Sequence, residues 1–523
     1  MKPMITFLVR RLTTSALVVL ISSFLMYFLV AIAVDPLSTL RASTMPTLAK
    51  QQQMAHLTAV LRLDEPIITR YFDWLKGASG CLYGQCNLGT NWKTHEAVTS
   101  MLSGAVVTTV QLVLLATVIA IVVGAAIGII SALRQYSGFD YSITFLSFLM
   151  YSLPVFWVAV MLKSFLAIDF NDFIQNGGQF SAGWIIGAAL VTGLAVGAAC
   201  GGGRARLLRI GGITAALVAA LMLYSNVSDF FVRPSSGSPL DLIKVLLISV
   251  AIAFGVTTLS TGLRNRKALY TSLTVAAIGG GLYYPMLFFW NGVSGSWLLM
   301  IGLAVVSAAV GVGVGYAWGG TERSRSARTG AITAVLVAAV LFLDRLAQTW
   351  YDYTNSTWVH GRPIATSGDS TPNLAGSFWM HTTDLLTHIA LPSITLVLVS
   401  MASYTRYVRA STLEVLNQDY IRTARAKGLT ERTVIMRHAF RNALLPLASV
   451  VPVDILFILG GALITETVFG WSGMGHLFVQ SLHEEILDPV MGYLLIVAIL
   501  APLANIVADV LYAVLDPRIR VDA

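Results

Sequence analysis

The chain has 523 residues, 56% of them hydrophobic and only 11% charged, and its mean hydropathy is +0.74. Soluble domains of this length do not reach such values, so the chain is a multi-pass membrane protein. Its formal net charge of +8 is modest for the length, and nucleic acid is not an expected partner. Three cysteines make neither a disulfide framework nor a metal site, and the sequence holds no GxxxxGK[ST] phosphate loop, HExxH pair or nucleophile elbow. The chain is therefore not expected to be an enzyme, and ATP would have to be hydrolysed by another chain.

A spanning helix needs roughly 20 apolar residues, because the hydrocarbon core is about 30 Å thick and each residue rises about 1.5 Å. Leu12 to Val34 meets this after Lys2, Arg10 and Arg11, and reads as an uncleaved first span with a cytoplasmic N-terminus. Ala97 to Leu133, closed by Arg134, contains the second span, and Tyr141 to about Ala167 is the third. Near the other end, Leu385 to about Tyr404, Ala443 to Glu466 and Pro489 to Leu515 supply three more.

Between these halves lies a block with its own rhythm of apolar stretches. Candidate spans there are Ala182 to Cys200, Ile210 to Tyr224, Leu242 to Leu263, Ala268 to Trp290, Ser296 to Gly319 and Thr329 to Leu346. Basic turns at Arg204 to Arg209, Arg264 to Lys267 and Arg323 to Arg328 make them three hairpins with cytoplasmic turns. An even number of crossings in the block keeps the two halves in register with the membrane and leaves the C-terminus cytoplasmic. The expected fold class is all-α integral membrane with about twelve transmembrane helices, divided as 1–168, 169–355 and 356–523.

Gln418 to Pro446 reads QDYIRTARAKGLTERTVIMRHAFRNALLP and differs in physics from the rest of the chain. A helix through Tyr420, Ala424 and Lys427 sets them on one face by the i, i+3/i+4 rule, with small Ala424 admitting a close partner. Gly428 then interrupts, where positive φ turns one short helix into the next. On physics alone, a juxtamembrane basic segment attracted to anionic lipid is an equal reading.

This stretch resembles the EAA loop of ABC-importer permeases, in the form RTARAKGL followed by RHAxRNALLP that marks the dipeptide/oligopeptide branch. LRLDEPIITRYFDWL (Leu61 to Leu75), RQYSGFDY (Arg134 to Tyr141), HIALPSITL (His388 to Leu396), ALITETVFGWSGMGHL (Ala462 to Leu477) and DVLYAVLDPRIR (Asp509 to Arg520) resemble other family segments in the family's order. Arg422-Thr423-Ala424 stands where the general EAA pattern begins with an acid, as is usual in this branch. The resemblance implies a six-span type I permease core (3+3) in the plasma membrane, with a coupling loop at 417–446. It implies a second permease subunit, two P-loop ATPases at the cytoplasmic face that hold ATP and Mg, and an extracellular substrate-binding protein; this chain itself would carry no cofactor. Tyr420, Arg422, Ala424, Lys427, Gly428 and Leu429 would form the ATPase-docking surface. The transported solute would be a dipeptide, an oligopeptide or a related small solute such as a nickel complex, glutathione or haem. The block of about six extra spans is a departure that the family does not explain.

Several residues outside the loop carry a functional and a plainer reading. Asp454, about midway along the fifth span, is either a translocation-path residue or a packed, hydrogen-bonded or protonated acid. Lys163 is expected to snorkel outward rather than pair with it. Cys81 and Cys86, on the outer side, are either a disulfide or two free thiols, and Cys200 is a small packing residue. Gly124 with Gly128, and Gly311 with Gly315, have the small-xxx-small spacing of packed helices. The aromatic stretch from Trp350 to Trp379 is an interfacial belt, a cap on the path or a receiver for the binding protein. Two rival functions remain: a proton-coupled secondary transporter using Asp454, and a non-transporting scaffold. The middle block is expected to form a peripheral layer that shields the core or binds envelope lipid, with faces almost free of charge and no polar pathway.

Overall fold

The computed structural model describes residues 2–200, 204–227 and 240–515. Among the described residues the fold is helical, with one isolated backbone bridge between Thr90 and Ala97. The N-terminal part contains α1 (Lys2–Ala33), α2 (Ile67–Ser79), α3 (Val98–Leu133), α4 (Gly138–Ser152) and α5 (155–175). The middle block contains α6 (Ala182–Cys200), α7 (Arg204–Val227), α8 (Leu242–Ser260), α9 (Arg266–Gly281), α10 (Tyr283–Gly292), α11 (Trp297–Trp318) and α12 (Arg323–Thr354). The C-terminal part contains α13 (Phe378–Leu416), α14 (Asp419–Ala426), α15 (Leu445–Gly461), α16 (Leu463–Phe469), α17 (Met474–His483) and α18 (Leu487–Leu515).

Among the described residues eight helices are long and apolar enough to cross a membrane, or ten if each of two bent pairs counts as one span. The expected count of twelve is therefore reached only by adding the shorter apolar stretches Ala182–Ala198 and Leu445–Leu456. The third expected span is not straight: α4 and α5 meet at 103°. Pro154 causes the break, since proline removes an amide donor and drives the preceding residue out of the helical region, and Leu153 is extended at φ −81° and ψ 133°.

The two halves are joined chiefly by α3 lying along α13. A Cβ built on Gly124 would stand 2.9 Å from the Tyr404 Cβ, and one on Gly128 would stand 2.8 Å from the Thr405 carbonyl oxygen. The small residues thus set the distance between these helices, as their spacing suggests. Helices α1, α2 and α18 share an aromatic core of Tyr27, Tyr71, Trp74 and Tyr493, in which the Tyr71 and Ser23 hydroxyls lie 2.9 Å apart.

The middle block is two bodies. The hairpin α6–α7 packs on α4, while α8, α9, α11 and α12 form a bundle whose α12 lies against α13. Gly311 and Gly315 face Gly330 and Ala327 across the α11–α12 contact, where an added Cβ would sit 2.3 Å and 2.4 Å from backbone. The faces expected to be almost free of charge are joined by neutral hydroxyl bonds as well as by small residues. Thr257 donates to Ser272 at 3.0 Å, Thr333 reaches the same hydroxyl at 3.3 Å, and Ser260 lies 2.8 Å from Thr329. Asp344 is also buried, accepting from Leu240 N and Gln348 Nε2. Apolar surface gives little drive to helix association inside lipid, so hydroxyl bonds and close small-residue contacts take that role.

The end of the bundle that carries Tyr353 is tied to the C-terminal half through Asp384. Its carboxylate accepts from the Tyr353 hydroxyl at 3.0 Å and from Thr371 N at 2.8 Å, so the aromatic stretch is pinned at a buried polar point.

Candidate functional site

The 417–446 loop hangs from α13, whose 39 residues rise about 60 Å at about 1.5 Å each, more than a membrane thickness. After Asn417 the chain turns into α14, an eight-residue helix with Asp419 in its first turn and Arg425 in its last, charges that suit the helix dipole. Gly428 ends it at φ +74°. Leu429 N reaches the Ala424 carbonyl at 3.4 Å and Gly428 N the Arg425 carbonyl at 2.9 Å. This is the hydrogen-bond pattern of a Schellman cap, which needs a left-handed residue where Gly428 stands.

Beyond the cap, Glu431–Thr433, a π-turn at Val434–Ala439 and Phe440–Ala443 fold back under α14. Ile421, Ala424, Val434 and Ala439 then form a small core of their own with Val415 and Leu416. Arg425 closes the outside by donating to Glu431 at 2.6 Å and 3.2 Å, and that bond holds the Glu431 carboxyl below its ordinary pKa. Tyr420 accepts from Asn442 Nδ2 at 2.8 Å.

Of the six residues expected to dock a partner, Tyr420, Arg422, Lys427, Gly428 and Leu429 are exposed, and Ala424 is not. Ala424 points into the small core, so it does not share an outward face with Tyr420 and Lys427; its small size serves the fold-back of the loop. Lys427 follows the last helical residue as the C-cap rather than standing within α14. Met436 and Phe440, which sequence reading did not single out, are 56% and 37% exposed and extend the apolar part of this surface.

Two anchors were also missed. Arg409, near the foot of α13, donates twice to Asp140, Nε to Oδ1 at 2.7 Å and Nη2 to Oδ2 at 2.9 Å. Ser131 and Tyr136 N complete the shell of that buried carboxylate. The turn between α3 and α4 is thereby fastened to the helix that carries the loop. Near the other end, Glu466 is fully buried and accepts from Thr109 at 2.7 Å, Gly475 N at 2.7 Å and His476 N at 3.0 Å. Asp140 and Glu466 lie within the motif-like segments RQYSGFDY and ALITETVFGWSGMGHL, but their partners Arg409 and Thr109 are remote in sequence.

A signature of the binding-protein-dependent transport system inner membrane component family matches residues 281–521, and the N-terminal signature of such membrane components matches residues 4–113. The oligopeptide transport system permease protein OppB of Mycobacterium tuberculosis is 36% identical over 239 residues, 43% of this chain and 69% of that protein. The chain belongs to this permease family. AppB of Bacillus subtilis, another oligopeptide transport system permease protein, is 45% identical over 137 residues, covering 26% of this chain and 43% of its own length. The dipeptide transport system permease protein DppB of Escherichia coli is 45% identical over 137 residues, 26% of this chain and 40% of its own. The permease is thus a multi-pass membrane component of the binding-protein-dependent transport class. Its second signature begins at residue 281, inside the middle block expected at 169–355.

Asp454 lies in α15, half-buried and beside Tyr404 of α13. Lys163, half-buried, is elsewhere: its Nζ donates to the Val468 carbonyl at 2.9 Å, and among the described residues it forms no ion pair with Asp454. Cys81 and Cys86 are joined in the turn after α2. Cys200 closes α6 with its side chain outside the described residues, as are the last residues of the C-terminal motif, 516–520.

Proposed function

We propose that the permease is one transmembrane subunit of an ATP-binding-cassette importer for peptides or a related small solute. The observation that carries this is the loop itself. A rigid helix longer than the membrane ends in a capped, self-packed hook that exposes Tyr420, Leu429, Met436 and Phe440 beside Arg422 and Lys427. Such a hook is built to sit in the groove of a partner and to pass that partner's movement up α13. On this reading the partner is a pair of P-loop ATPases holding ATP and Mg, the pore is completed by a second permease, and a binding protein delivers solute outside. Both termini are then cytoplasmic, and the core is the 1–168 and 356–523 halves.

The test is to purify the tagged full chain in mild detergent from its native membrane and identify its companions by mass spectrometry. A second permease and P-loop ATPases are expected. A reproducibly ATPase-free complex that transports on a pH gradient alone would replace the reading with proton-coupled transport.

Two further assignments follow. Asp454 faces the translocation path, because an ionisable group within a span is costly unless it has a role; Asp454→Asn should change uptake several-fold while the complex still assembles, and unchanged uptake would remove the assignment. Cys81 and Cys86 form a disulfide on the oxidising outer side. Alkylation of intact cells should label them only after reductant, whereas labelling without it would show free thiols.

A further inference from the structure

The middle bundle carries a groove of about 460 Å³ between α9–α10, α11 and α12, walled almost wholly by aliphatic and aromatic side chains. On α11 it runs from Trp297 to Val310, a rise of about 20 Å at about 1.5 Å per residue, slightly more than the roughly 15 Å hydrocarbon depth of one leaflet. One end is ringed by Trp290, Trp297 and Phe342. That end is opposite the basic turns at Arg264 to Lys267 and Arg323 to Arg328, so it opens toward the outer interface. Trp290 stands 4.9 Å from Trp379 and Phe342 5.6 Å from it.

A cation lies beside that end, outside the groove lining, against the neighbours of Trp290. Arg345, one turn beyond Phe342, lies 5.9 Å over the Trp379 ring. Its guanidinium donates to neutral amides, Gln348 Oε1 at 2.8 Å and Asn291 Oδ1 at 3.1 Å. The neighbouring Asp344 carboxylate accepts from Leu240 N and Gln348 Nε2 and acts on Arg345 through its charge rather than through a hydrogen bond. Among the described residues no carboxylate forms a salt bridge with Arg345.

We propose that this groove is a binding site for one acyl chain of an anionic glycerophospholipid from the outer leaflet, with the headgroup phosphate at Arg345. Groove length, aromatic collar and a cation held by neutral partners at the interface agree in pointing to that occupant. Tryptophan rings prefer the headgroup level, and the groove below them supplies only apolar contact. Because α12 lies against α13, the lipid would brace the bundle against a helix of the transport core. The inference does not depend on the importer reading, since it concerns retention of lipid by the folded chain.

The full-length chain, delipidated in detergent and offered phosphatidylglycerol or phosphatidylcholine, is examined by native mass spectrometry. Wild type should retain one phosphatidylglycerol per chain in preference to phosphatidylcholine. Arg345→Gln should lower that preference about fivefold, the factor matching about 1 kcal/mol per basic residue near an anionic headgroup. Ala304→Trp, at an exposed lining position, should fill the groove and lose both lipids, with helix content by circular dichroism unchanged. Retention unaltered by Ala304→Trp, equal retention of both lipids by wild type, no retained lipid on a folded chain, or a second protein chain in place of the lipid would each overturn the proposal.

Discussion

Gly428→Pro should abolish ATP-driven uptake, with the chain still inserted and helical in the membrane. The residue sits at φ +74°, whereas proline is held near −65° and has no amide hydrogen, so the variant also loses the bond to the Arg425 carbonyl at 2.9 Å. A Cβ at this position meets nothing within 4 Å, which means any penalty comes from backbone conformation and not from crowding. An L-residue in the left-handed region costs about 1–2 kcal/mol, and proline cannot enter it, so the capped form of the loop should fall by more than about tenfold. Gly428→Asn is the control, since asparagine tolerates that region; it should keep uptake within a few-fold of wild type. Both are measured as solute uptake into proteoliposomes of the whole complex, beside ATPase subunits recovered on purification. Full uptake by the proline variant would show that the turn is not needed for coupling.

Helix existence was legible wherever an apolar run was long and bounded by charge. Ala97 to Leu133 was expected and Val98–Leu133 is found, because neither proline nor charge interrupts that run. The apolar content of the third expected span was legible, and the path of its backbone was not. Hydropathy says that Tyr141 to Ala167 prefers lipid, but Leu153-Pro154 decides its path, and the result is a bend of 103°. The cap at Gly428 was readable since only local backbone chemistry is involved. The direction of Ala424 was not, because it depends on Val434 and Ala439 folding back to bury the same side as Ile421, a contact across a turn. In the middle block the glycine spacing of Gly311 and Gly315 correctly marked a packed face, yet the hydroxyls of Thr257, Ser272 and Thr333 were overlooked. Each is unremarkable in its own helix and gains meaning only when three helices bring them together.

Asp140→Asn should destabilise the permease more than most single substitutions. The carboxylate is 2% exposed and receives both forks of Arg409, whose own side chain is 27% exposed. Breaking a buried pair from one side leaves an uncompensated charge and costs about 3–5 kcal/mol; the partial exposure of Arg409 places the expectation at the lower end, about 3 kcal/mol. Arg409→Gln should cost a similar amount, because Asp140 then keeps its charge with only Ser131 and the Tyr136 amide as partners. In the double variant neither charge remains, so the two losses should be markedly less than additive, with a coupling of about 1–3 kcal/mol in a cycle of denaturant midpoints in micelles. Strict additivity would mean that the pair is a surface ornament despite its burial. Uptake adds a second question to the same cycle. The pair joins the turn between α3 and α4 to the foot of the helix that carries the hook, so on the proposed importer reading movement of the loop would reach the N-terminal half partly through these two bonds. A double variant that regains stability while its uptake stays low would separate transmitting that movement from merely holding the fold.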